Sequence, residues 1–150
     1  MGIFEKKGWY RLTIPEGWEA DEAEDPVAIA RADGSGALQV TAQAPRSLKS
    51  GGRIDALLML RAFLKGIGVD IGKTRATRFE RGGLEWAVSE YVGEDSQGGQ
   101  AFWRVWMAAN RDVLVFLTYA CPEEDRDAER EAVDRIVASL ELCSAGPGVP

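Results

Sequence analysis

The run Phe102-Trp103-Arg104-Val105-Trp106 sets one cation among aromatic rings and is the densest group of interaction-capable side chains in the sequence. A guanidinium there can recognise a carboxylate or a backbone carbonyl through its fork of N–H donors. It can also stack on its neighbours while its head reaches water, which is the plainer reading. If the strand Leu84 to Val92 folds back on Ala101 to Ala109 through a symmetric loop, Tyr91 faces Phe102, Ser89 faces Arg104 and Ala87 faces Trp106. Trp86, Val88 and Glu90 then share the other side with Met107, Val105 and Trp103. The chain holds five tryptophans, and Trp and Arg are enriched at binding hot spots. Two helices need not cover both faces of a sheet of six or seven strands. Tyr91, Phe102, Arg104 and Trp106 are therefore the candidate partner-binding or self-association patch, with simple core burial as the competing outcome.

Other chemistries are narrower. The sequence contains no histidine, which removes Ser-His and Cys-His nucleophile activation, imidazole acid–base work and His-ligated zinc. Carboxylate catalysis would have to use Glu85, Glu90 or Asp95 near Arg104, and no spacing forces such a pair. A small-ligand carrier would need an apolar cavity. The acids of Glu19 to Asp25 read as a solvated loop, with a hard-cation site as the functional alternative. Lys73, Arg75, Arg78 and Arg81 form a basic stripe that either protects an edge strand or binds an anion or acidic peptide. Cys121 precedes a helix whose first residues are acidic, which favours a packed, inert thiol over a reactive one. No catalytic residue, metal ligand or cofactor is assigned.

At 150 residues with a net charge of −6, the chain has the size of one domain, spanning 1–150 with its core over about 9–142. Acidity argues against nucleic acid, whose phosphates require clustered Lys and Arg. No apolar run approaches the roughly twenty residues that span a bilayer. The start, Met1-Gly2-Ile3-Phe4-Glu5-Lys6-Lys7, lacks the apolar core of a signal peptide. A cytosolic protein with free Cys121 and Cys143 is expected.

The elements that must position these residues follow from periodicity. Strands are expected over Trp9 to Ile14, Val27 to Ala32, Ala37 to Ala44, Lys73 to Arg81, Leu84 to Val92, Ala101 to Ala109 and Val113 to Ala120. Asp33-Gly34-Ser35-Gly36 and Gly82-Gly83 are hairpin signals, and Trp18 is expected to fold back on the core. Helices are expected over Arg53 to Lys65 and about Pro122 to Leu140. The second would separate the cysteines by about 27 Å, beyond disulfide reach. Val113 to Leu117 is apolar on both faces, so it should be a central strand with helices on each side of the sheet. The tail 144–150 is expected to fray.

Three stretches together resemble the PsbP-like superfamily. They are the opening strand with Ile14-Pro15-Glu16-Gly17-Trp18, the hairpin from Arg31 to Val40, and Thr118-Tyr119-Ala120-Cys121-Pro122 followed by a helix ending Ile136-Val137-Ala138-Ser139-Leu140. The resemblance runs from about Trp9 to Leu142 and rests on turns and core stripes. It implies an α+β fold, an antiparallel sheet of about six or seven strands flanked by helices on both faces in an α/β/α sandwich. Members of that superfamily include a photosystem subunit, a Ran-binding transport factor and bacterial chaperones for secreted type VI effectors. The resemblance therefore implies a non-enzymatic cytosolic protein-binding role, as a secretion-effector chaperone, adaptor or immunity-type protein, with a protein partner or a second copy. The bacterial cytosolic branch is the nearest in size, and no specific binding residue carries over.

Overall fold

A computed structural model describes residues 2–23, 26–44, 49–50, 53–70, 72–94 and 97–142. The elements are β1 (Gly2–Lys6), β2 (Tyr10–Ile14), β3 (Trp18–Asp21), β4 (Val27–Arg31), β5 (Ala37–Gln43), β6 (Lys49–Ser50), β7 (Arg53–Ile54) and α1 (Ala56–Gly66). They continue with β8 (Ala76–Arg81), β9 (Leu84–Glu94), β10 (Gln100–Ala109), β11 (Leu114–Pro122), α2 (Arg130–Ala138) and β12 (Glu141–Leu142). The main sheet has seven antiparallel strands in the order β3-β4-β5-β11-β10-β9-β8, and a smaller sheet has the order β1-β2-β12. The fold is the expected antiparallel α+β sandwich.

β11 is the middle strand of the main sheet, and its two apolar faces explain why. Val115, Leu117 and Tyr119 enter one core beneath α2 and the small sheet, while Leu114 and Phe116 enter a second core beneath α1. Burying a side chain such as Leu117 stabilises by about 1.5–3 kcal/mol. The same alternation sorts the neighbouring strands. Phe102, Trp106 and Trp86 face α2, whereas Val105, Met107 and Ala87 face α1.

Turns follow their chemistry. Gly82 and Gly83 both take positive φ, 63° and 77°, as a two-residue hairpin of type I′ requires. Asn110 Oδ1 accepts from the backbone N–H of Asp112 and of Val113 at 2.8 and 2.7 Å, closing the β10–β11 turn. Asp55 caps α1 by accepting from Leu58 N–H at 3.0 Å. Trp18 is buried, as expected from its position after the Pro15 turn.

Four expectations require correction. β1 was not anticipated, because Gly2-Ile3-Phe4-Glu5-Lys6 exposes most of its length and carries little alternation. The first helix starts at Ala56, not Arg53, because Arg53–Ile54 pairs with Lys49–Ser50. The second helix is only Arg130–Ala138. Cys121 and Pro122 stay in β11, Glu123–Asp125 forms a 3-10 turn, and Glu129 turns inward before the helix begins. Finally, the acidic run is not wholly loop: Glu19 and Asp21 lie on β3, where Trp18 and Ala20 alternate inward. Glu24, Asp25, Asp95, Cys143 and the tail lie outside the described residues. Among the described residues, no helix is long and apolar enough to cross a membrane.

Candidate binding site

The expected patch is divided between the two faces of the sheet. β9 and β10 pair as Tyr91 with Trp103, Glu90 with Arg104, Ser89 with Val105 and Val88 with Trp106. This register differs by one residue from a symmetric closure, and a one-residue slip changes which side chains share a face. Phe102, Arg104 and Trp106 point toward α2, and Tyr91 points to the α1 side. Phe102 and Trp106 are 1% and 2% exposed, so they are core residues.

Arg104 anchors a charged lattice over that core. Its Nη1 donates to Asp134 of α2. Its Nε lies 3.1 Å from Glu90 Oε2, a contact of charges rather than an aligned hydrogen bond. Arg130 donates to the same Glu90 oxygen at 3.0 Å and to Asp127 at 2.7 Å. These partners, the Asp127 bond foremost, raise the affinity of Arg130 for its proton. The guanidinium of Arg104 stacks 4.9 Å from the Trp106 ring, and those of Arg126 and Arg130 stack on Phe102. A depression of about 700 Å³ lies above, between α2 and the strands β8 to β10.

The carboxylates considered for catalysis do not converge. Glu85 faces α1 and lies 3.6 Å from Arg78, while Glu90 is held by Arg104 and Arg130 on the opposite face. One buried carboxylate escaped sequence reading. Glu129 Oε1 accepts from Tyr119 Oη at 2.7 Å and from the backbone N–H of Ser35 and Gly36 at 3.3 and 3.1 Å. Burial, reinforced by that bond to Glu129, pushes the Tyr119 phenol above its usual range. This arrangement latches the β4–β5 hairpin to the start of α2. A Cβ at Gly36 would strike the Ala120 carbonyl, so glycine is obligatory there. Cys121, beside it, is buried, and that burial pushes its thiol up and disfavours the thiolate.

The open aromatic surface lies on the α1 side. Tyr91 and Trp103 stack at 6.1 Å with an interplanar angle of 7°, and both remain half-buried. Burial raises the Tyr91 phenol. α1 stops short of them. Its end is closed by the Ile67 N–H bonding back to Phe63 O, and Gly68 takes φ +86°, so the chain turns away and leaves Ile67 exposed. The space between residues 67–70 and 73–75 on one side and the end of β9 on the other is a groove of about 800 Å³. Its walls include Ile67, Lys73, Arg75, Tyr91, Val92 and Trp103. Ile67 and Val92 are 49% and 41% exposed. Sequence reasoning named Tyr91 but placed Trp103 on the opposite side; the loop parity alone separated the two readings.

No family model and no curated protein matches the chain. Solved structures do. A Bacteroides thetaiotaomicron protein aligns with TM-score 0.66 at 17% identity over 95% of this chain, which spans about half (48%) of that protein's length. The cyanobacterial PsbP (CyanoP) of Synechocystis sp. PCC 6803 aligns with TM-score 0.63 at 16% identity, covering 95% of this chain and 92% of that one. LpqN of Mycobacterium tuberculosis, involved in cell envelope biogenesis, aligns with TM-score 0.60 at 10% identity, covering 89% and 82%. These likenesses support a PsbP-like fold and, at such identities, show the fold alone.

Proposed function

We propose that this protein is a non-catalytic protein-binding domain whose site is the Tyr91–Trp103 groove. The observation that supports it is a stacked aromatic pair left half-open beside exposed Ile67. Apolar surface of this kind, rimmed by the polar groups of Lys73, Arg75 and Glu94, is the usual composition of a contact patch. The role is that of an adaptor or effector chaperone in the cytosol, in keeping with the PsbP-like resemblance. Phe102, Arg104 and Trp106 support the site from beneath by fixing β10, while Tyr91 and Trp103 meet the partner.

The test is a photo-crosslinking amino acid placed at Ile67, exposed on the groove wall, in the native host, followed by mass spectrometry of adducts. A discrete protein adduct that disappears on Trp103→Ala, with the circular dichroism spectrum unchanged, is the expected result. An adduct insensitive to Trp103→Ala, or none at all, removes the groove as a partner site. Sedimentation over a range of concentrations separates a second copy of the chain from a different partner.

A further inference from the structure

The edge of the main sheet is stepped. β8 pairs with β9 only from Ala76 opposite Ser89 to Arg81 opposite Leu84. β9 continues past Ser89, and residues 90–94 pair with β10 alone, from Glu90 opposite Arg104 to Glu94 opposite Gln100. Among the described residues, nothing pairs with the other side of 90–94. Such an edge offers a row of backbone N–H and C=O groups to an added strand. The 800 Å³ groove opens on this step, with residues 67–70 and 73–75 as its far wall.

We propose that the groove takes the extended C-terminal end of a partner protein, which adds to the β9 edge and presents its terminal carboxylate to Lys73 and Arg75. The proposal rests on the protein-binding reading above and specifies its ligand. Direction follows from the sheet. β8 runs antiparallel to β9, so a strand added antiparallel to residues 90–94 lies in line with β8 and runs toward Ala76. Its last residue falls beside residues 73–75. An internal segment would collide with the chain entering β8, whereas a free end fits. A strand added parallel would bring an α-amino group to the two cations instead.

Charge supports the same orientation. Lys73 and Arg75 are exposed, and neither has an ion-pair partner among the described residues. Glu90, at that end of the step, is already neutralised by Arg104 and Arg130. Asp70 accepts from Gly72 N–H at 2.9 Å, and Glu94 stands at the opposite end of the free edge, where it favours a positive group upstream in the ligand. Alternate ligand side chains point to opposite faces. Those on the α1 side meet the Tyr91–Trp103 stack, which selects an apolar or aromatic side chain. Those on the other side meet Thr77, Val88 and Arg104.

The experiment is selection from a phage-displayed random peptide library presented with free C-termini, followed by fluorescence polarisation with synthetic copies of the enriched sequences. Enriched peptides are expected to end in apolar or aromatic residues. Replacing the terminal carboxylate by an amide should weaken binding about tenfold or more, the loss of a charge-assisted contact. Arg75→Ala and Lys73→Ala should weaken the free acid and leave the amide unchanged; both side chains are exposed, so the fold is not at stake. Methylation of alternate backbone nitrogens should abolish binding. Peptides that depend on Trp103 but bind equally as acid and amide would overturn the C-terminal proposal and leave the protein-binding reading standing. Recovery of no Trp103-dependent peptide would overturn the proposal.

Discussion

The Tyr119 hydroxyl donates to Glu129 Oε1 at 2.7 Å inside the protein, and the same oxygen receives the Ser35 and Gly36 amides. Three donors therefore converge on one acceptor that joins strand, hairpin and helix. Glu129→Ala leaves all three unsatisfied and is expected to cost about 3 kcal/mol, against about 1 kcal/mol for Tyr119→Phe. The double variant should cost less than the sum, because the residues share one network. Urea denaturation of the four proteins measures this; a midpoint unmoved by Glu129→Ala would deny the latch any energetic role.

Tyr10 makes the opposite case. Its hydroxyl is buried with no hydrogen-bond partner among the described residues, and burial raises its pKa to about 12. A folded-state value above the unfolded one means that the native protein holds this proton more tightly. The associated stability is present below about pH 10 and is lost as pH rises through the folded value. Tyr10→Phe should match or exceed wild-type stability at neutral pH, by up to about 1 kcal/mol, and should flatten the alkaline loss. Thermal melts from pH 8 to 11 check both, and a steeper alkaline loss in the variant would contradict the account.

Trp103 and Trp106 should separate on alanine substitution. Trp106 fills the core between β10 and α2, and its removal is expected to cost about 3–5 kcal/mol. Trp103 is half-open, and its loss should cost about 1–2 kcal/mol. Equal denaturation midpoints for the two variants would be inconsistent with a buried Trp106 and a half-open Trp103.

Cys121 should resist alkylation while the protein is folded, since only the thiolate reacts and burial disfavours it. Iodoacetamide labelling followed by peptide mass spectrometry should show modification of Cys121 only in denaturant. Rapid labelling of the native protein would show that the end of β11 opens.

Most of the sheet was legible because its signals are local. Gly82-Gly83 and Asp33 to Gly36 announce hairpins, and Val113 to Leu117 announces a covered central strand. The site was legible in composition but not in facing. Alternation correctly put Phe102, Arg104 and Trp106 together, yet the partner on β9 depends on how the 95–99 loop closes. Gly98 takes φ +82° just before β10, and composition does not disclose the register that results. The shortened second helix was hidden for a different reason. Its acidic start suits a helix dipole, but Glu129 gains more from the hairpin amides than from a place on the solvent side. That preference is tertiary, arising from residues 93 and 94 positions away.

The pairing of Glu141–Leu142 with Arg11 and Tyr10 also orders events in time. A chain leaving the ribosome can assemble the main sheet once β11 has emerged, because all seven of its strands precede Glu123. The edge of β2 that receives β12 must wait for almost every remaining described residue to be synthesised. Contacts so distant in sequence close slowly, since the loop entropy is paid before the contact forms. During that interval β2 presents an unpaired edge above a core that still lacks Ile136, Val137 and Leu140, and the nascent protein is at its most vulnerable to aggregation there.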